Sequence, residues 1–189
     1  MRTLIQLAGM AAITLAGASA QATDFAPLMD VVQATWPGKN HIGVVANYRQ
    51  SQPEIQALAA VAGAGSTITV LDIRGRGEFE RAGSVMVNQV KPDYLVLLPQ
   101  DPLVWDGSFN ATLLTNFLAT RGIPTVATTP KALAQGAVFA MGAATGMELL
   151  VTQRLIGTVG VILPSKGRFV NHASGLGGGS AQIRVASLQ

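Results

Sequence analysis

The stretch HIGVVANYRQSQPEIQALAAVA, His41 to Ala62, is the one from which the fold can be read. An apolar run from Ile42 to Ala46 stops at Asn47 and Tyr48, crosses the polar segment RQSQP, and resumes with apolar residues at helical spacing. A strand buried on both faces reads as a continuous apolar run rather than an alternating one, and its chain returns to the next parallel strand through a covering helix. Pro53 suits a first helical turn, where a missing N–H has no partner to lose. Ser51 is a candidate cap, and Glu54 lies near the positive end of the helix dipole. The loop between such a strand and helix is where open α/β sheets bind ligands.

Outward from this unit the same alternation repeats. Strands are predicted at Ile42–Ala46, Thr67–Ile73, Tyr94–Leu98, Thr125–Thr128, Val138–Met141 and Val159–Leu163. Helices are predicted at Ala26–Thr35, Pro53–Ala62, Glu78–Val90, Gly107–Arg121, Pro130–Gln135 and Gly146–Ile156. Lys91-Pro92-Asp93 and Arg121-Gly122-Ile123-Pro124 each stop a helix just before a strand. This order predicts one three-layer α/β/α domain with a mostly parallel sheet. The run GLGGGS, Gly175 to Ser180, separates it from a last alternating stretch, Ala181 to Leu188. The organisation expected is a leader over residues 1–22, one lobe over 23–174, and a Gly-rich linker with a C-terminal segment over 175–189.

The chain has 189 residues, 49% of them hydrophobic, enough for a real core. Only 12% are charged and the net charge is +3, with the basic residues scattered and only RGRG, Arg74 to Gly77, placing two together. Nucleic-acid binding needs a concentrated basic face, so no nucleic-acid partner is expected. There is no cysteine, which excludes a disulfide scaffold, a zinc–thiolate site and a cysteine nucleophile.

The opening MRTLIQLAGMAAITLAGASAQA has Arg2 before an uncharged apolar stretch that gives way to small residues. Ala18-Ser19-Ala20 and Ala20-Gln21-Ala22 both have the small-x-small form of a signal-peptidase site. The expectation is a cleaved signal peptide, with cleavage near Ala20 or Ala22 and a periplasmic mature protein. An uncleaved membrane anchor is the alternative, disfavoured by the Ala, Gly and Thr content of the stretch.

In a parallel sheet the loops after the strands converge on one rim. Here they carry Asn47, Tyr48, Arg49, Gln50 and Ser51, then Arg74 and Arg76, Gln100, Asp101 and Trp105, Thr128 and Thr129, and Gly142 to Thr145. Amide, hydroxyl and aromatic groups with one carboxylate suit a small polar ligand. Each has a plainer role open to it. Asp101-Pro102 is also a turn initiator, Thr128 and Thr129 before Pro130 also suit a helix cap, and Tyr48 and Trp105 also suit apolar cover. Glycines in MGAATGMELL fall at a strand-to-helix turn but lack the Lys-Ser or Lys-Thr of a phosphate loop. His41 and His172 lie away from the rim, and no catalytic motif or metal-ligand cluster appears. Asp101, Thr128 and Lys166 resemble the Asp, Thr and Lys of response-regulator receivers, but Asn47 and Tyr48 stand where a receiver needs its acidic pair for magnesium. No enzyme, cofactor or metal is expected.

These elements together resemble the C-terminal lobe of a periplasmic substrate-binding protein for an ABC transporter, of the type I periplasmic binding protein kind. LMDVVQATWPGKNHIGVVAN resembles that family's crossover helix, Pro-Gly break and first strand of the second lobe, and VKPDYLVLLPQD its third strand. RGIPTVATTPKALAQGAVFAMG and VILPSKGRFVNHAS resemble later segments in the same order, over roughly Leu28 to Ser174. The resemblance implies a flavodoxin-like topology and ligand contacts from Asn47, Ser51, Asp101, Thr128 and Thr129, to which the rim adds Tyr48. It implies a small polar solute, such as an amino acid, and an ABC permease as partner. An N-terminal lobe of about 120 residues, judged against ordinary domain size, has no counterpart. A homodimer would supply a second wall. A lone lobe also suits an accessory or interaction module of the cell envelope.

Overall fold

The computed structural model describes residues 23–105, 107–141, 149–151 and 181–188. The leader, the predicted strand Val159–Leu163, the Gly142–Thr145 loop, Lys166, His172 and the Gly-rich run lie outside these. No helix among the described residues is long and apolar enough to cross a membrane.

Helix α1 (Ala26–Thr35) leads into β1 (His41–Ala46), then α2 (Tyr48–Ala62) and β2 (Thr67–Asp72). The chain continues through α3 (Phe79–Val85), β3 (Tyr94–Val96), α4 (Phe109–Ala119), β4 (Thr125–Ala127), α5 (Lys131–Ala134) and β5 (Phe139–Met141). Two further strands belong to the sheet, the short β6 (Leu149–Val151) and the six-residue β7 (Gln182–Ser187). The order is β6-β5-β4-β3-β1-β2-β7, with every pair parallel except β5 with β6. The central β2-β1-β3-β4-β5 order is the flavodoxin-like one, and its switch point lies between β1 and β3.

The apolar run of β1 is continuous because both its faces are covered. Ile42, Val44 and Ala46 join a core with Phe25 and Leu28 at α1, Ile55 and Leu58 of α2, and Ile68, Val70 and Val96 of the sheet. Val45 faces the other way, into a core with Leu71, Leu95, Leu97, Phe79, Met86, Leu114 and Leu118. Each such side chain removed from water contributes roughly 1.5–3 kcal/mol, so two cores back to back stabilise the sheet as a middle layer. Gly43 lets β1 pass close under the chain after α3, since a Cβ there would lie 2.9 Å from Pro92 Cγ.

Several expectations are corrected. Helix α2 begins at Tyr48, five residues before Pro53, because the Asn47 side chain caps it by accepting from the Gln50 N–H at 3.3 Å. Pro53 therefore sits inside the helix, and the exposed Arg49 carbonyl loses its usual helical donor. The expected helix Glu78–Val90 is a 3-10 turn (Arg76–Glu78), then α3, then a π-helical turn (Met86–Val90) closed by Lys91 in the left-handed region. Within the expected helix Gly146–Ile156, Leu149–Val151 is a strand, since a short apolar run fits either state and the open edge of β5 supplies hydrogen-bond partners. The last alternating stretch joins the sheet as β7, in register with β2 from Thr67↔Gln182 to Asp72↔Ser187.

Trp36, just after α1, packs its ring 4.9 Å from Phe139 and 5.9 Å from Tyr94. Tilted aromatic contacts of this kind add about 0.5–1.5 kcal/mol beyond burial. Burial, with the neighbouring Asp93 carboxylate adding to it, pushes the Tyr94 hydroxyl well above its ordinary value of 10.0. The unfolded chain ionises this phenol where the folded chain keeps it neutral. Its contribution to stability is thus intact below pH 10.0 and is lost as pH rises beyond it. Denaturation measured against pH is expected to show a flatter alkaline limb for Tyr94→Phe than for the wild type; equal slopes would show that the phenol is not held neutral.

Candidate functional site

The loops after β1, β3 and β4 stand side by side, and Asp101 ties the first two together. Its carboxylate is 1% exposed and accepts four hydrogen bonds. One oxygen takes the Asn47 N–H at 2.8 Å and the Ser51 hydroxyl at 2.6 Å, both from the start of α2. The other takes the N–H groups of Leu103 and Val104 at 2.9 and 2.7 Å, within its own loop. A carboxylate has about four acceptor directions, and all are used. The four donors and the positive end of α2 compensate the buried charge.

The N–H of Tyr48 donates to Asp72 at the end of β2, at 3.1 Å, and the other Asp72 oxygen is 3.3 Å from the Arg74 guanidinium. Two of the chain's own carboxylates thus occupy the helix terminus that would otherwise attract an external anion. Arg74 is committed to this surface pair, which contributes little to stability.

The sequence-expected residues divide by what they have left to offer. Ser51 is buried and donates its hydroxyl to Asp101, so it and Asp101 position the rim from beneath. Asn47 is half-buried and accepts through its side-chain oxygen, while its NH₂ donates to no group among the described residues. Tyr48 is half-buried with its ring against the α1–α2 core. Thr128 does not cap α5, whose N-cap position is Pro130 without a side-chain bond. Its hydroxyl oxygen is buried and has no hydrogen-bond partner among the described residues. Thr129 follows it, half-buried, and its carbonyl accepts from Ala132. Trp105 is 40% exposed and lies over Gly107, where φ is +147° and a Cβ would overlap the indole. His41 sits at the opposite end of β1, as expected, with Nε2 2.9 Å from Thr69 Oγ1.

One participant was not anticipated as part of the rim. Glu54 is 5% exposed, accepts the Thr23 hydroxyl at 2.6 Å and the Gln100 N–H at 3.3 Å, and so joins α2 to the loop after β3 and to the segment before α1. The only hint was its place near the helix start, since its partners are 31 and 46 residues away.

No protein-family model matches the sequence, and no curated protein matches it. Among solved structures, the ABC domain in complex with L-Trp from Streptococcus pneumonia aligns with a TM-score of 0.62. This chain shares the α/β fold of the aligned part of that domain. The alignment covers 74% of this chain and 57% of that one, at 13% sequence identity. This lobe therefore spans little more than half of that domain, and the likeness speaks for the fold alone.

Removing the tie exposes its weight. Asp101→Ala strands three backbone N–H groups and a hydroxyl beneath the rim, which is expected to cost about 2–4 kcal/mol of stability. Urea unfolding measures it, and a loss under about 1 kcal/mol would show that water replaces the carboxylate.

Proposed function

We propose that this protein is an exported, non-enzymatic binding protein that holds a small polar solute, an amino acid foremost, at the rim beside the β1–β3 switch point. The observation that carries the reading is the hydroxyl of Thr128, one of six buried side-chain polar atoms without a hydrogen-bond partner among the described residues and the one that lies in a rim loop. A buried polar group without a partner is costly, and such groups are kept where a ligand or an ordered water completes them. Asn47, Tyr48, Thr128 and Thr129 contact the solute, while Ser51 and Asp101 hold the loops in place. The solved domain of the same fold is a complex with L-Trp, which supports an amino acid as the first ligand to test. With Asp101 and Asp72 on the α2 N-terminus, a ligand carboxylate is met elsewhere, by a second wall from a homodimer or another chain. Delivery to an ABC permease is the transport form of this reading.

Thermal unfolding of the mature protein with single amino acids, L-Trp included, tests it. A ligand is expected to raise the melting temperature of the wild type, and Thr128→Val is expected to weaken its affinity about tenfold, the scale of one buried hydrogen bond. Without ligand the valine variant is as stable as the wild type or more so, since an unsatisfied hydroxyl is gone. If no amino acid shifts the melting temperature, the solute reading fails.

Export carries its own check. Osmotic-shock fractionation is expected to release a chain starting at Gln21 or Thr23; a full-length chain in the membrane fraction would favour the uncleaved anchor.

A second reading, an accessory module of an envelope complex, rests on a different surface. Phe109 is 74% exposed and Leu113 48%, one turn apart on α4, with Trp105 in the loop just before. Apolar groups clustered beside a functional rim favour a protein partner. Cross-linking in cells that captures one partner in the wild type and loses it in Phe109→Ser would favour this reading over solute binding.

A further inference from the structure

The far end of the sheet holds a second concavity, of about 340 Å³, at the N-terminal ends of β1, β2 and β7. His41, Thr67, Asp93 and Arg184 line it, and the glycine turns at Gly38 and Gly65 leave its mouth open. It is separated from the rim by the length of β1, about 17 Å at roughly 3.3 Å per residue.

Its polar character follows from the sheet's own alternation. His41, Gly43 and Val45 share one face of β1, and Thr67, Thr69 and Leu71 the matching face of β2. At the C-terminal half of these strands that face carries Val45 and Leu71, which enter the core beneath α3 and α4. At the N-terminal half the same face carries an imidazole and two hydroxyls, and Arg184 of β7 is paired in register with Thr69. The His41 ring is held in place by Thr69, Nε2 to Oγ1, at 2.9 Å.

The charges in the cleft do not cancel. One Asp93 oxygen accepts the His41 backbone N–H at 2.9 Å, and the other lies 3.7 Å from the Lys39 ammonium, so this carboxylate is already matched. The Arg184 guanidinium reaches only the neutral Gln182 side-chain oxygen, at 3.3 Å, and meets no carboxylate among the described residues. A planar guanidinium offers paired donors that match an oxyanion. The volume is that of a small-molecule pocket, ample for an oxyanion with a short organic body.

We propose that this cleft is a second binding site, for a small molecule bearing a carboxylate or phosphate group, in which Arg184 grips the oxyanion and His41 and Thr67 contact the body attached to it. The site is independent of the rim, and a ligand at one leaves the other open.

Proton NMR of the His41 ring follows binding directly. The chain has two histidines, and His41→Gln identifies the signal. The whole mature protein is titrated with inorganic phosphate and, separately, with succinate, at constant ionic strength. A saturable shift with either probe is expected. Arg184→Gln is expected to weaken it about tenfold or more, and Arg184→Lys, which keeps the charge but not the fork, by less. Arg81→Gln, an exposed arginine on α3, leaves it unchanged. Tighter binding of phosphate assigns the site to phosphate esters, and tighter binding of succinate to carboxylic acids. The proposal is overturned if neither probe saturates, or if Arg184→Gln binds as the wild type does; should that variant not fold, wild-type affinity in Arg184→Lys together with loss in Arg81→Gln overturns it as well.

Discussion

A buried carboxylate with its acceptor directions filled by the chain itself governs the rim of this protein. Asp101 stands where the strand order reverses, between a strand whose chain turns one way along the sheet and a strand whose chain turns the other. Loops leaving such a point diverge and open a crevice. By accepting from the start of α2 with one oxygen and from its own loop with the other, Asp101 sets how far they separate. Glu54 repeats the device one turn along α2, tying the helix to Gln100 and Thr23.

This arrangement changes which groups the rim leaves uncommitted. The start of α2 is ordinarily the most attractive anion site in such a sheet, yet the N–H groups of Asn47, Tyr48 and Gln50 are spent on Asp101, Asp72 and the Asn47 cap. The groups left there include the Asn47 amide, the Tyr48 ring and the Thr128 hydroxyl, beside the exposed side chains of Arg49 and Arg76. At the other end of the same strands, the arginine of an edge strand lines a polar cleft and meets no carboxylate among the described residues.

Much of the architecture was legible because it rests on local pattern. The ten residues of α1 and the starts of β2, β3 and β4 fall where periodicity and punctuation put them. Errors arose where a distant contact overrode a local preference. Pro53 argued for a helix start, but Asn47 and two distant carboxylates, Asp72 of β2 and Asp101 of the loop after β3, draw the first turn back to Tyr48. Leu149–Val151 fits helical spacing, but an open strand edge beside it decides for pairing.

The sequence by itself determined the class of the fold, its parallel sheet and the loops that form the rim, because hydrophobic period and turn chemistry act over a few residues. Which rim residues are available, and which are consumed in holding the rim together, was decided only in three dimensions. Asp101 and Ser51 are 50 residues apart and Glu54 and Gln100 46, and nothing in a one-dimensional pattern shows that their hydrogen bonds are spent on each other. The edge position of β7, and with it the setting of Arg184, is likewise a product of strand pairing, since a strand's neighbour is chosen by the whole sheet.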